Sequence, residues 1–265
     1  MQEENVSEAF SRQSAVFDEA DNSNLILQWM RSRVRGHVLE LWKPGERILE
    51  LNAGTGSDAL YFAQRGFYLH ATDNAKGMQE VLNKKVTELH FEDKITSQLC
   101  SFLELNKIEQ APFDHIFSNF GGLNCTNQLD DVIHSFSPLL KPGGTVTLVL
   151  MPPVCPWEML TVLKGNFNLA FRRFKKDGAA SNLEGVTFNT WYYSPKEVRK
   201  MFGKNYRIIS LTGLGVTVPP PHRVNFPIKH PKTFLRLISL EKSIASMAPF
   251  HSWADHFIIS ARKTF

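Results

Sequence analysis

With 265 residues and 43% hydrophobic content, the chain can bury a full core of α/β size. A formal charge of +4 is too mild to argue for a concentrated nucleic-acid face, and three widely spaced cysteines (Cys100, Cys125, Cys155) make neither a disulfide framework nor a zinc pattern. The start, Met1-Gln-Glu-Glu, has no apolar leader and no run is long enough to span a bilayer, so the expectation is a cytoplasmic protein that binds a small molecule, without nucleic acid, membrane span or metal.

Residues 1–24 are polar with isolated aromatics (Phe10, Phe17), and 25–42 carry Leu25, Ile26, Trp29, Met30, Val34 and Val38 at helical spacing, so 1–46 reads as an N-terminal helical cap. Lys43-Pro44-Gly45-Glu46 is a turn into the first strand, Arg47–Leu51. The chain then passes through Asn52-Ala53-Gly54-Thr55-Gly56 into a helix marked by Ala59, Leu60, Phe62 and Ala63. A strand, a glycine turn and a helix N-terminus in that order form a site for a polar ligand, because the backbone comes close and the first helical N–H groups lack partners. Phe67–Thr72 is a second strand ending at Asp73, 75–90 is helical, and Ile95–Phe102 is a weaker third strand. Phe113–Ser118 is a fourth, followed by Asn119-Phe120-Gly121-Gly122, and 127–140 is a helix stopped by Lys141-Pro142-Gly143-Gly144. Thr145–Met151 is an unbroken apolar strand, the kind buried on both faces. Strands alternating with helices over 47–151 predict a doubly wound parallel sheet.

The second half changes character. Residues 152–193 form an aromatic-rich insertion whose basic run Arg172-Arg173-Phe174-Lys175-Lys176 is expected to be a solvated helix face. Ser194-Pro195-Lys196-Glu197 starts a helix as a capping box with proline in the first turn. Within 194–265, Tyr206–Leu214 is a sixth strand and Trp253–Lys263 a closing one, needing no crossover helix between them and so antiparallel. A second insertion, 215–250, contains Pro219-Pro220-Pro221-His222. Both insertions leave the carboxyl edge of the sheet and are expected to lie over the ligand as lids.

Gly54-x-Gly56-x-x-Ala59 fits a dinucleotide fingerprint, with Asp73 placed to hold a ribose, which keeps an NAD-dependent oxidoreductase open. Glu50 argues the other way: a carboxylate at the end of the first strand repels a pyrophosphate and suits a ligand bearing an amino group and a sulfonium. Four segments taken together, Leu49–Gly56, Ala71-Thr72-Asp73 with Met78, Phe113–Phe120 and Leu139–Gly144, resemble the class I S-adenosylmethionine-dependent methyltransferases. The likeness is to the small-molecule branch of ubiquinone, menaquinone and biotin-pathway enzymes, and Phe10…Ala15-Val16-Phe17-Asp18 resembles that branch's capping segment. The resemblance implies a Rossmann-like, mostly parallel seven-stranded sheet with an antiparallel last strand, and S-adenosyl-L-methionine as cofactor. It implies that Glu50, Asn52, Ala53, Gly54 and Gly56 hold the methionine moiety and that Asp73 takes both ribose hydroxyls. Asn74 and Met78 would flank the adenine, and Ser101 and Phe102 stand where the family often has an acidic residue reading it. Asn119 and Phe120 are cofactor-side candidates on their own ground, because their turn lies at the carboxyl end of a strand, where ligands of open α/β sheets sit. A cofactor-binding protein without catalysis is a further alternative, since these motifs report binding and not turnover.

The lids and cap contain Phe17, Trp157, Trp191, Tyr192 and His222, which predict an apolar or aromatic acceptor. Methyl transfer from a sulfonium runs mainly on positioning, and a base is needed only for a poorly ionised acceptor. The candidates are His222, stiffened by the prolines before it, and Tyr192 or Tyr193, with His134 behind them. Asp255 and His256 in the closing strand read equally as salt-bridge partners, and Cys125 and Cys155 as small buried residues.

Overall fold

The computed structural model describes residues 1–264. The strands are β1 (Arg47–Leu51), β2 (Tyr68–Asp73), β3 (Ile95–Leu99), β4 (Phe113–Ser118), β5 (Leu140–Leu150), β6 (Ala179–Leu183), β7 (Val186–Thr190), β8 (Tyr206–Leu214) and β9 (His256–Lys263). Seven of them form one sheet in the order β3-β2-β1-β4-β5-β9-β8, and β6 and β7 pair separately as a hairpin. β1 to β5 are parallel, whereas β9 runs antiparallel to both neighbours. In register, Glu50 lies opposite Ala71 on one side and Phe117 on the other, so the ends of β1, β2 and β4 open onto one edge.

β5 is buried over its final seven residues, as its apolar run requires. Gly144 lets it lie against β4: a Cβ there would sit 2.7 Å from the carbonyl oxygen of Asp114. Helices cover both faces of the sheet. They are α1 (Gln2–Ser23), α2 (Leu25–Leu39), α3 (Ser57–Ala63), α4 (Lys76–Glu88), α5 (Leu129–His134), α6 (Pro156–Met159), α7 (Phe167–Phe171), α8 (Pro195–Phe202), α9 (Phe226–Lys229) and α10 (Pro231–Ile244). One core layer packs α2, α3 and α4 around Trp42, Phe62, Phe67 and Phe117, with the Trp42 and Phe62 rings edge to face at 5.1 Å. The opposite layer packs α5 and α8 around Ile116, Phe136, Val198 and Phe257. The expected capping box is present, with the Glu197 N–H donating to Ser194 Oγ and the Ser194 N–H to the Glu197 carboxylate.

Within the expected helical cap, residues 2–23 form one 22-residue helix, α1, whose Val6 and Ala9 are buried. Two local expectations change. The 127–140 helix is only six residues long, because Pro138 opens a tight turn at Ser137–Leu139 and β5 begins at Leu140. The first insertion contains the β6–β7 hairpin, turned through Glu184 and Gly185, both at positive φ.

Both insertions leave the sheet at the edge where the glycine turn lies. Residues 152–193 follow the carboxyl end of β5 and 215–255 follow that of β8. The second is held by Glu241 of α10, whose carboxylate accepts backbone N–H bonds from Gly215, Val216, Thr217 and Val218 at 2.7–3.1 Å.

Candidate active site

The turn after β1 is built for close backbone approach. Asn52, Gly54 and Gly56 all have positive φ, and a Cβ on Gly56 would sit 2.0 Å from Leu82 Cδ1. A Cβ on Gly54 would meet open space, because this residue faces a cavity of about 140 Å³. Phe17, Asn52, Gly54, Asp73, Asn74 and Met78 line that cavity, together with Phe102, Asn119, Phe120 and Cys125. A second cavity of about 370 Å³ adjoins it, sharing Val6, Asn74, Phe102 and Cys125 and reaching Trp191.

Two buried carboxyl groups stand near the ends of β1 and β2: Asp73 lines the cavity, and Glu50 lies outside its lining. Asp73 accepts N–H bonds from Gly54 and Ala75, both at 2.8 Å, which spends one lone pair of each oxygen and leaves the others for a diol. Burial pushes its pKa above the ordinary carboxylate value, while those backbone bonds pull it back. Glu50 is more extreme. It is buried, and its Oε2 finds no hydrogen-bond partner among the described residues. Burial first, and then the charge of Asp58, raise its pKa well above the usual range despite Arg31 and Arg35. An orphaned carboxyl oxygen at a strand end beside a glycine turn is complementary to a cationic group.

Asn52 has its amide engaged internally. Ser118 donates to its Oδ1 (2.7 Å) and its Nδ2 donates to the Asn119 carbonyl (3.1 Å), which pins the β1 turn to the β4 turn. Asn119 in turn donates to Asp58 (2.7 Å). Asp58 is paired with Arg31 (2.6 Å) and Arg35 (2.7 Å), and the Arg31 guanidinium lies 4.7 Å above the Phe120 ring. Ser101 is buried, and its hydroxyl accepts from the Leu103 N–H at 3.0 Å.

Helix α1 roofs the cavity with Val6, Phe10 and Phe17. Its start is tied to β7 and the Cys125 carbonyl by Gln2 and Asn5, and Ser7 donates to the Asn74 carbonyl at 2.7 Å. At its far end Asp18 accepts from Thr55 (2.6 Å) and pairs with Lys85, and Asp21 pairs with Arg31.

On the β9 side, Phe120 leads directly to a second cluster. The His256 ring stands edge-on to Phe120 at 6.1 Å, and its Nδ1 is 2.9 Å from Asp255. Asp255 also accepts from Arg173 (2.7 Å), which bonds Glu158 (2.7 Å) and the carbonyls of Asp255 and Pro152. Arg172 grips the same Glu158 through two nitrogens. Burial alone would raise the Asp255 pKa, but His256 and Arg173 hold it far below the carboxylate range. Cys155, Glu158 and Asp255 lie close enough to suggest a metal cage, yet the Arg173 guanidinium already bridges the two carboxylates, and burial pushes the Cys155 thiol up to about 12.

This geometry revises the basic-run expectation: Arg173 is a buried anchor between the first insertion and β9, Arg172 is half-buried, and Lys175 and Lys176 are solvated. Tyr193 is withdrawn as a base, since its hydroxyl donates to the Thr126 carbonyl and burial raises its pKa. Tyr192 faces Arg173, 5.2 Å from the guanidinium carbon, and burial raises its pKa too. His222 is exposed and has no hydrogen bond among the described residues. Trp157 donates to the Thr217 carbonyl (3.1 Å) and packs on Phe226, which joins the two lids. His134 is exposed on α5, bonded to the Asp130 carbonyl. Cys125 is buried with its thiol pushed up to about 12. The site feature that sequence reasoning undervalued is the Asp255–His256 pair. Its signal was adjacent acid and imidazole at the start of a strand that enters the sheet from the ligand edge.

The sheet order departs from the 3-2-1-4-5-6 of dinucleotide-binding folds by inserting antiparallel β9 between β5 and β8. With the two carboxyl groups at the ends of β1 and β2, the fold is that of the class I S-adenosylmethionine-dependent methyltransferases, and residues 48–144 match the family model for a methyltransferase domain. Among proteins of known function, the chain is similar to the demethylmenaquinone methyltransferase of Clavibacter sepedonicus, 29% identical over 156 residues. That alignment takes in 53% of this chain and 59% of the relative, so the chain matches well under two thirds of its length. Among solved structures, magnesium protoporphyrin IX methyltransferase from Synechocystis PCC 6803 superposes with a TM-score of 0.60 at 15% identity, covering 99% of this chain and 100% of the other. The CcbJ methyltransferase from Streptomyces caelestis gives 0.60 at 15% identity, covering 96% of each. No helix among the described residues is long and apolar enough to cross a membrane.

Proposed function

We propose that this protein transfers a methyl group from S-adenosylmethionine to a small, largely apolar or aromatic acceptor. The observation that carries this is the pair of buried carboxyl groups, Glu50 and Asp73, at the ends of adjacent strands, one of them without a partner. Glu50 would take the ammonium group, Asp73 the two ribose hydroxyls, and Asn74, Met78 and Phe102 the adenine side of the cavity. When bound, the cofactor supplies an electrophilic methyl group.

The rest of the chemistry belongs to the protein. Phe120 lines the cavity and packs edge-on against His256, so the acceptor would enter at Phe120, within reach of the β9 side. With Nδ1–H donating to Asp255, Nε2 of His256 is the ring's acceptor position and takes the proton of a hydroxyl, amine or carbon acid. Arg173 and Glu158 hold Asp255 in place. This role replaces His222 as base, because His222 stands exposed without an orienting partner. The aromatic lids exclude water, as an in-line displacement requires.

The test is calorimetric titration of wild type and Asp73→Ala with S-adenosylmethionine, S-adenosylhomocysteine and NADH. Binding of the first two, weakened by at least about tenfold in the variant, is expected from loss of a bidentate charge-assisted contact. Binding of NADH alone would sink the reading. Turnover is then sought on a panel of apolar hydroxyl, amine and carbon acceptors.

A further inference from the structure

The two lids are apolar on the outside as well as within. Of 18 large hydrophobic side chains exposed among the described residues, 12 fall between Met159 and Trp253. Leu163 is 83% exposed in the first insertion, and Ile228 and Leu235 are 70% and 66% exposed in the second. A trough of about 520 Å³ runs between Pro156, Met159, Leu160, Leu163 and Trp253, lined almost wholly by carbon. The insertions are one body at this point: Trp157 bonds Thr217 and packs on Phe226, and Val154 bridges to Trp253. Monomeric surfaces scatter their apolar residues singly, so this concentration calls for a covering partner.

The charge around the patch says which partner. The insertions 152–193 and 215–250 hold ten Lys and Arg against four Asp and Glu, although the whole chain is only +4, so the remainder is net negative. Two of the four acids are internal: Glu158 is paired with Arg172 and Arg173, and Glu241 is capped by four backbone N–H groups. Lys164, Lys175, Lys176, Lys229, Lys232 and Arg236 are all exposed, on the same two insertions as the exposed apolar side chains. A second copy of the chain would bring these cations against each other, and a polyanion such as nucleic acid would leave the leucine and isoleucine tips against phosphate. An anionic bilayer satisfies both sets, with apolar tips in the acyl boundary and lysines among the headgroups.

We propose that the outer face of the two lids docks on an anionic phospholipid bilayer, which makes the acceptor a molecule resident in that bilayer. The docking stands by itself; the acceptor class rests on the methyl-transfer reading above. The cluster of Asp255, His256 and Arg173 ties the first lid to β9, next to Trp253 of the trough, so on this proposal an acceptor would approach His256 from the lid side.

The full chain is floated with vesicles of phosphatidylcholine alone and of phosphatidylcholine with phosphatidylglycerol, at low and high salt. At least about tenfold stronger partition onto the anionic vesicles, reduced by salt, is expected from several lysines near the surface. The double variant Leu163→Asp/Ile228→Asp loses partition on both, and Lys229→Glu/Lys232→Glu loses the anionic preference. Thermal unfolding and S-adenosylhomocysteine titration of both variants stay at wild-type values, which separates docking from folding and from the cofactor site. Equal partition onto both vesicle types, or variants that float like wild type, would overturn the proposal. So would a wild-type dimer that Leu163→Asp/Ile228→Asp makes monomeric, or salt-sensitive DNA binding without vesicle binding. If vesicles bind but no titration shows cofactor, the docking holds and the methyl-transfer reading falls.

Discussion

Glu50 and Asp73 are both buried carboxyl groups, but their surroundings differ. Asp73 has two backbone donors, whereas Glu50 Oε2 has none among the described residues, and its burial favours the protonated form. A carboxyl whose pKa is higher folded than unfolded favours folding below its unfolded value and loses that contribution as pH rises through its folded value. Glu50→Gln is therefore expected to flatten the alkaline side of the stability–pH curve, measured by urea unfolding. A cationic ligand reverses the preference and ionises the group. Cofactor binding should then release a proton and strengthen as pH rises, which calorimetry in buffers of different ionisation enthalpy reads directly. Glu50→Gln should bind about 10- to 100-fold more weakly, the worth of a charge-assisted contact, and release no proton. At the other end of the site, His256→Ala is expected to lower kcat by roughly 10²–10⁴ on a hydroxyl or carbon-acid acceptor with cofactor affinity unchanged. His222→Ala should be near neutral in the same assay. An equal loss in both variants would count against the assignment of His256.

At the scale of elements, α1 determines who reaches the cavity. It crosses α4 at Gly77, where a Cβ would stand 2.6 Å from the Ser11 carbonyl oxygen, so the two helices touch backbone to backbone. Gly77→Val should lift the middle of α1 and weaken cofactor binding severalfold, with a stability loss of about 1–3 kcal/mol by denaturant unfolding. This element was poorly legible in the sequence. Its apolar residues are too sparse for a convincing amphipathic stripe, and much of what holds it is polar and long-range: Gln2, Ser7 and Asp18 reach residues far along the chain. The β6–β7 hairpin was legible in principle, since Glu184-Gly185 is followed by the alternating Val186–Thr190. It was obscured by the surrounding aromatics, under which 152–193 read as a single lid insertion. The residues proposed to hold the cofactor were legible because strand ends, glycines and carboxylates are local in sequence. The acceptor side was not, because Arg173, Glu158 and Asp255 meet only once the first insertion has folded back onto β9.

For the molecule as a whole, the alternating strands and helices of residues 47–151 made the doubly wound sheet readable, as periodicity and glycine turns are properties of short windows. The order of the last two strands was not spelled out in that way. It depends on β9 slipping between β5 and β8, which is a matter of long-range pairing. The cavity beneath α1 is about 140 Å³ and adjoins one of about 370 Å³, and the helix that lines both is fastened at both ends. For a ligand of nucleoside size that fills them, parting of those fastenings is expected to limit exchange. The chemical step would then run ahead of exchange, and rapid mixing should show a burst of one methylated product per chain before a slower steady rate. Gly77→Val should speed that steady phase while leaving the burst amplitude at one. On that expectation the pace of turnover is set by the undocking of α1 rather than by the chemical step.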